Sequence, residues 1–315
     1  MNGGVAGAGA VGPLRGDGRQ ARSAASLPGA DWPNRQDSEH VRAGGVDWHV
    51  QRAGRGEPWL LLHGTGSATH SWRGLLPRLA ERHDVLAPDL PGHGWTTGGG
   101  GDILTLPGMA KAIGGLLRQL DFDPAVIVGH SAGAAVALRM ALDGQAAPRH
   151  IVGINAALLP FGGSFAKALQ PLTRAFAGAS LLTRMVASRA RKPGAVERLL
   201  EGTGSAVPPE VVQDYRTVLG RTGHVEATLR MMAGWDLETL QRDLARLDVP
   251  VTLLVGTADR TVQPAQARRV QRMHPGLDLR VETLDGLGHL AHEEDPERVA
   301  EAIERAVATV GAGGV

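Results

Sequence analysis

The sequence predicts an α/β fold: a doubly wound, mostly parallel sheet with an inserted helical lid. Three observations predict it. Short apolar runs end in glycine or a polar residue, as strands buried on both faces do. Helix-like runs separate them, the alternation expected of βαβ units. One long interval, residues 158–235, then carries helix-like and Gly/Pro-punctuated sequence without a buried-strand signal.

Taken in order, residues 1–30 are rich in Gly and Ala and lack a hydrophobic period, which predicts a disordered tail. Its "GAGAVG", Gly7 to Gly12, matches a dinucleotide pattern, but that motif needs a preceding buried strand and a following helix, and only "MNGGVA" precedes it. "HVRAGGVDWHVQRAG" alternates around Gly44-Gly45 and predicts a β-hairpin. "PWLLLHG", "HDVLAPDLPGHG", "AVIVGHS", "RHIVGINA", "VPVTLLVGTAD" and "LRVETLDGLGH" predict six further strands. Helices are expected over "SWRGLLPRLAERH", "MAKAIGGLLRQL" and "AGAAVALRMAL", and "HEEDPERVAEAIERAV" reads as the start of a final amphipathic helix. The expected organisation is a core of residues 31–157 and 236–311 interrupted by a lid at 158–235.

Composition excludes several classes of function. Lys plus Arg number 33 against 32 acids, for a net charge of +1, which offers no electrostatic footprint for nucleic acid. The absence of cysteine rules out disulfides, thiolate zinc sites and a cysteine nucleophile. No apolar run approaches the ~18 residues that span a bilayer, and the N-terminus does not read as a signal peptide. The expectation is a cytoplasmic protein.

In open parallel sheets, ligands bind outside the carboxyl ends of the strands. The polar residues there are His63 to Gly66, Asp89 to Gly94, Ser131, Asp259 and His289. "GHSAG", Gly129 to Gly133, is G-x-S-x-G between a strand and a helix, where a strained turn exposes the serine hydroxyl and leaves no room for side chains two residues away. The plainer alternative is that Ser131 caps the helix. A serine nucleophile needs a base and an orienting acid. His289 after the last predicted strand and Asp259 after the one before it supply them, in the chain order Ser…Asp…His that this elbow requires. Asp236 is the next candidate acid. The amides of Ala132 and Thr65 are the expected oxyanion donors. His63 reads as a loop-bonding residue rather than a catalyst. His63, Gly64, His130, Met231 and Trp235 are candidates to line the substrate site, with core packing the alternative for Met231, Met232 and Trp235. His289 and His292 beside Glu293 and Glu294 invite a metal reading, but His289 is already assigned as the base, and no metal or cofactor is expected. No P-loop is present.

These motifs resemble the α/β-hydrolase superfamily from Asp31 to the C-terminus, through "LLLHGTG", "APDLPGHG", "VGHSAG", "GTADRTV" and "GLGHLAHEEDP". The resemblance implies the α/β-hydrolase fold and a Ser131–His289–Asp259 triad. A closer likeness runs through "DWPNR", "HGTGSATHSWRGLLP", "INAALLPFGG", "LLEGTGS" and "MMAGWDL", which look like the magnesium-chelatase accessory family of bacteriochlorophyll biosynthesis. That likeness implies a role in magnesium insertion into protoporphyrin, a porphyrin as small-molecule ligand, and chelatase subunits as partners. The lid carries Lys167, Arg174, Arg184, Arg189, Arg191, Lys192, Arg198, Arg216, Arg221 and Arg230 against few acids. It would suit a flat apolar ligand bearing carboxylates or an anionic membrane surface, with a plain solvated surface as the alternative. Three functions remain open: a serine hydrolase serving tetrapyrrole synthesis, a porphyrin-binding or chelatase-stabilising module with an unused triad, and an unrelated carboxylesterase or C–C hydrolase.

Overall fold

The computed structural model describes residues 27–160, 188–189 and 192–311. The Gly7–Gly12 motif, most of the expected tail, and Lys167, Arg174, Arg184 and Arg191 of the lid lie outside the described residues.

Nine strands among the described residues form one sheet: β1 Ser38–Ala43, β2 Val46–Gly54, β3 Glu57–Leu62, β4 His83–Pro88, β5 Thr97–Gly98, β6 Val126–His130, β7 His150–Ile154, β8 Val251–Gly256 and β9 Leu279–Leu284. Their order is β1-β2-β4-β3-β6-β7-β8-β9, with the short β5 on β2. β1 and β2 form the expected hairpin, turning through Gly44 and Gly45 at φ 60° and 78°, values that favour glycine. The strands from β4 through β3 to β9 are parallel. The chain's order reverses at β3, which pairs with β4 on one side and β6 on the other, so the ends of β3 and β6 open onto one crevice.

β6, β7 and β8 are buried at every residue, which is why they read as apolar runs, with His130, His150 and Thr252 the only polar residues in them. One core layer joins the sheet to α2 Leu106–Leu120, α3 Ala132–Leu142, α7 Leu237–Asp243 and α8 Ala265–Met273, through residues such as Ile113, Leu116, Val136, Leu240 and Val270. The opposite layer joins it to α1 Leu75–Leu79 and α10 Pro296–Gly311, through Leu75, Leu76, Val299 and Ile303. The lid helices described are α4 Ala195–Glu201, α5 Pro209–Leu219 and α6 Thr222–Gly234. No described helix is long and apolar enough to cross a membrane.

Two helices are shorter than their sequence suggests. Over "SWRGLLPRLAERH" only Leu75–Leu79 is α-helical, preceded by the 3-10 turn Thr69–Trp72. Pro77 lacks an amide donor and fits only in a first turn, so the helix starts beside it. "HEEDPERVAEAIERAV" is divided between α9 Ala291–Glu294 and α10, because Asp295 before Pro296 takes an extended φ of −141°. Ordered contacts also begin before Asp31: Pro28 is buried, and its carbonyl accepts the Arg35 guanidinium at 2.8 Å.

Candidate active site

Ser131 is the one residue between β6 and α3, and its backbone sits at φ 51°, ψ −112°. A non-glycine residue held there costs on the order of 1–3 kcal/mol, so the surroundings must impose it. Its amide donates to the Ile154 carbonyl at 2.9 Å, and its carbonyl accepts the amides of Ala134 and Ala157. The flanking glycines are required by close backbone approach. A Cβ on Gly129 would lie 2.4 Å from the Ala134 nitrogen, and one on Gly133 would lie 2.0 Å from the Leu62 carbonyl oxygen. The Ser131 side chain makes no capping bond to α3. Its Oγ lies 3.1 Å from His289 Nε2 instead.

His289 Nδ1 donates to Asp259 Oδ2 at 2.7 Å. That carboxylate needs a donor, so the proton sits on Nδ1 and the Nε2 lone pair faces the Ser131 hydroxyl. Asp259 Oδ1 accepts the amides of Thr261 and Val262 at 2.7 and 2.8 Å, which fixes the carboxylate. Ser131, Asp259 and His289 are 7%, 4% and 6% exposed, so the relay is shielded without being sealed. Asp236, the other candidate acid, is exposed and caps α7 through the Thr239 amide. Such an arrangement can remove a proton from Ser131 as its oxygen attacks an acyl carbon.

Thr65 follows β3 by way of His63 and Gly64. Neither the Thr65 nor the Ala132 amide has an acceptor among the described residues. Gly64 packs on the elbow, for a Cβ there would lie 2.8 Å from His130 Nδ1 and 3.2 Å from Ser131 Cβ. His63 is fully buried: Nδ1 donates to the Gly64 carbonyl at 2.8 Å, and Nε2 accepts the Leu90 amide at 2.9 Å. Burial pushes its pKa below the usual value, so the ring splices two loops as a neutral group. In the second loop, Asp89 accepts the Thr69 and Trp95 amides and His49 Nδ1 at 2.7–2.8 Å. Burial alone would raise its pKa, but the adjoining His49 and the amides outweigh that and hold it well below the usual carboxylate range.

The remaining candidates fall in different places. His130 lies under the elbow, 2% exposed, and donates from Nε2 to the His289 carbonyl at 2.9 Å. Burial holds it neutral. Met231 is fully buried in α6 with its sulfur 3.9 Å from Thr65 Oγ1. Trp235 donates to the Leu104 carbonyl and packs on the core. Of the lid's described cations, Arg216 pairs with Glu197, Arg230 with Glu226, and Arg221 lies 4.6 Å over the Trp95 ring. Among the described residues, no group of three or more His, Asp or Glu is arranged to hold a metal ion.

Two residues missed in the sequence hold the loops together. Asn155, one residue past β7 at φ 46°, accepts the Gly256 amide at 2.7 Å and donates to the Gly288 and His289 carbonyls at 2.9 Å. It thereby ties the end of β8 to the loop carrying His289. Its only signal is its place after an apolar strand. His224 of α6 accepts the Gly94 amide at 3.0 Å and donates to the Gly66 carbonyl at 3.1 Å, binding the Thr65 loop to the lid.

The profile of the alpha/beta hydrolase family matches residues 59–302. The magnesium-chelatase 30 kDa subunit of Rhodobacter capsulatus is 39% identical over 274 residues, covering 85% of this chain and 93% of that protein. The 2-(acetamidomethylene)succinate hydrolase of Mesorhizobium japonicum is 28% identical over 282 residues, covering 84% and 93%. An esterase structure from Thermogutta terrifontis superposes with a TM-score of 0.68 at 21% identity, covering 86% and 99%, a likeness of fold.

Proposed function

From the premise that the chain belongs to the alpha/beta hydrolase family, we propose that it is a serine hydrolase acting on an ester-type or amide-type acyl group. The observation that carries this reading is the unbroken relay from Asp259 through His289 to Ser131, at 2.7 and 3.1 Å. Ser131 Oγ attacks the acyl carbon while its proton passes to His289 Nε2. Asp259 steadies the imidazolium, and the amides of Thr65 and Ala132 receive the oxyanion. The protonated His289 then gives its proton to the leaving group, whose bond to the acyl carbon breaks. Water, deprotonated by His289, attacks the acyl-enzyme, and the proton returns to Ser131 as the acid departs.

The 39% identity to the R. capsulatus magnesium-chelatase subunit supports a finer reading. In it, this hydrolase is an accessory factor for magnesium insertion into protoporphyrin in bacteriochlorophyll biosynthesis. It works in the cytoplasm with chelatase subunits as partners and a porphyrin-related molecule as ligand. The same relative favours a second reading, a porphyrin-binding or chelatase-stabilising module whose relay is unused, because exchanging the two pyrrole N–H protons of a porphyrin for a magnesium ion breaks no acyl bond. Covalent labelling by a fluorophosphonate, with site mapping and Ser131→Ala as control, separates the two. Rapid labelling confined to Ser131 supports the hydrolase. No labelling of folded protein overturns it in favour of the binding module, which porphyrin titration would then test.

A further inference from the structure

The lid does more than cover the relay. Between α4 and α5, residues Thr203 to Ala206 press on the two loops that carry Asp259 and His289. The Thr203 carbonyl accepts the amide of Arg260, next to Asp259, at 3.0 Å, and also that of His289 itself at 3.4 Å. Ser205, 7% exposed, accepts the Leu290 amide on its hydroxyl at 2.8 Å. Glu294 accepts the Gly288 amide with one carboxylate oxygen and the Ala206 amide with the other, at 2.8 and 3.1 Å. Contact is close enough to exclude side chains: a Cβ on Gly204, at φ +85°, would lie 2.1 Å from the Ala258 carbonyl oxygen, and one on Gly288 would lie 2.4 Å from the Gly204 carbonyl. Leu290, directly after the base, is buried in the small apolar core of Val196, Leu200, Val211 and Tyr215 that holds α4 to α5.

The amides of Arg260, Gly288, His289 and Leu290 thus find their acceptors in the lid or in a side chain that also grips the lid, while the Ala258 amide bonds the Leu287 carbonyl. Buried amides deprived of those acceptors would have to move to find others. We propose that Thr203–Ala206 is a positioning element for the Asp259–His289 pair, with Ser205 its positioning side chain. Lid and relay then move as one unit at this junction, and displacement of α4 and α5 detunes the base. This proposal rests on the reading of Ser131, His289 and Asp259 as a working triad.

The test measures the rate of fluorophosphonate labelling at Ser131 against pH, for wild type, Ser205→Ala, Ser205→Thr and Gly204→Ala. Labelling of Ser205→Ala and Gly204→Ala should slow by roughly 10- to 100-fold with a displaced pH midpoint, because a base misplaced by an ångström loses about that much. Ser205→Thr keeps the hydroxyl and should stay within about 3-fold of wild type. If wild type labels rapidly and both Ala variants match it in rate and pH midpoint, the positioning role is refuted while the hydrolase reading stands. If wild type does not label, the hydrolase reading fails first. Should Ser205→Ala not fold, Glu294→Gln tests the same brace, with roughly 3-fold slower labelling expected; an unchanged rate and midpoint would overturn the proposal equally.

Discussion

Replacing Glu293 by Gln should stabilise the protein, and more so as the pH rises. Glu293 is 7% exposed, accepts the Tyr215 hydroxyl at 2.8 Å, and has no partner for its second carboxylate oxygen among the described residues. Burial pushes its pKa from 4.5 up to about 8, despite the Tyr215 hydrogen bond that favours the ionised form. At neutral pH the folded chain therefore keeps this proton, while the unfolded chain has lost it. Where the folded state binds the extra proton, stability falls as pH rises, so the loss runs from 4.5 to about 8 and then levels off. At ~1.4 kcal/mol per unit, folding at pH 7 bears about 3 kcal/mol for reprotonating this carboxylate, and about 5 kcal/mol at pH 9. Gln keeps the shape and the acceptor for Tyr215 without that cost. Urea unfolding of both proteins at about pH 5, 7 and 9 reads the difference directly. Subtracting one protein from the other also removes most of the contribution of Asp214, whose carboxyl burial raises to about 6, and leaves only its charge coupling to Glu293. A gap that stays flat or narrows with rising pH would refute the claim that Glu293 folds as a neutral acid.

Three further substitutions probe the relay and its supports. Asp259→Asn should lower the turnover of a small ester by roughly three to four orders of magnitude, with circular dichroism unchanged, because His289 would take the wrong tautomer; an undiminished rate would move the acid role elsewhere. Gly64→Ala puts a methyl 2.8 Å from His130 Nδ1 and 3.2 Å from Ser131 Cβ, displacing the Thr65 amide. It should lower kcat at least about tenfold, and a change confined to KM would count against Thr65 as an oxyanion donor. Asn155→Leu strips acceptors and donors from Gly256, Gly288 and His289, and chemical unfolding should register a loss of about 2–4 kcal/mol. Wild-type stability in that variant would show that the three loops hold their arrangement without it.

Much of the fold was legible along the chain because its determinants are local. A strand buried on both faces is mostly apolar, so β3, β6, β7 and β8 announce themselves, and Gly44-Gly45 marks the hairpin between β1 and β2. The elbow is local as well, since the clashes that demand Gly129 and Gly133 arise within a few residues and one neighbouring strand. Where the reading overran, at Leu75–Leu79 and across Asp295, prolines cut an apolar pattern that continued past them.

The sequence by itself determined which residues are candidates for the chemistry: a serine between two glycines, with an acid and a histidine following later strands in order. Only the tertiary structure decided how those residues are held. Asn155 reaches the His289 carbonyl across 134 residues, and His130 reaches it across 159. The Thr203 carbonyl that joins both relay loops to the lid belongs to the main chain, which is identical at every position and leaves no mark in the sequence. Reactive groups are properties of side chains and can be read in order. Their alignment comes from hydrogen bonds between distant backbone segments, which exist only once the sheet has brought those segments together.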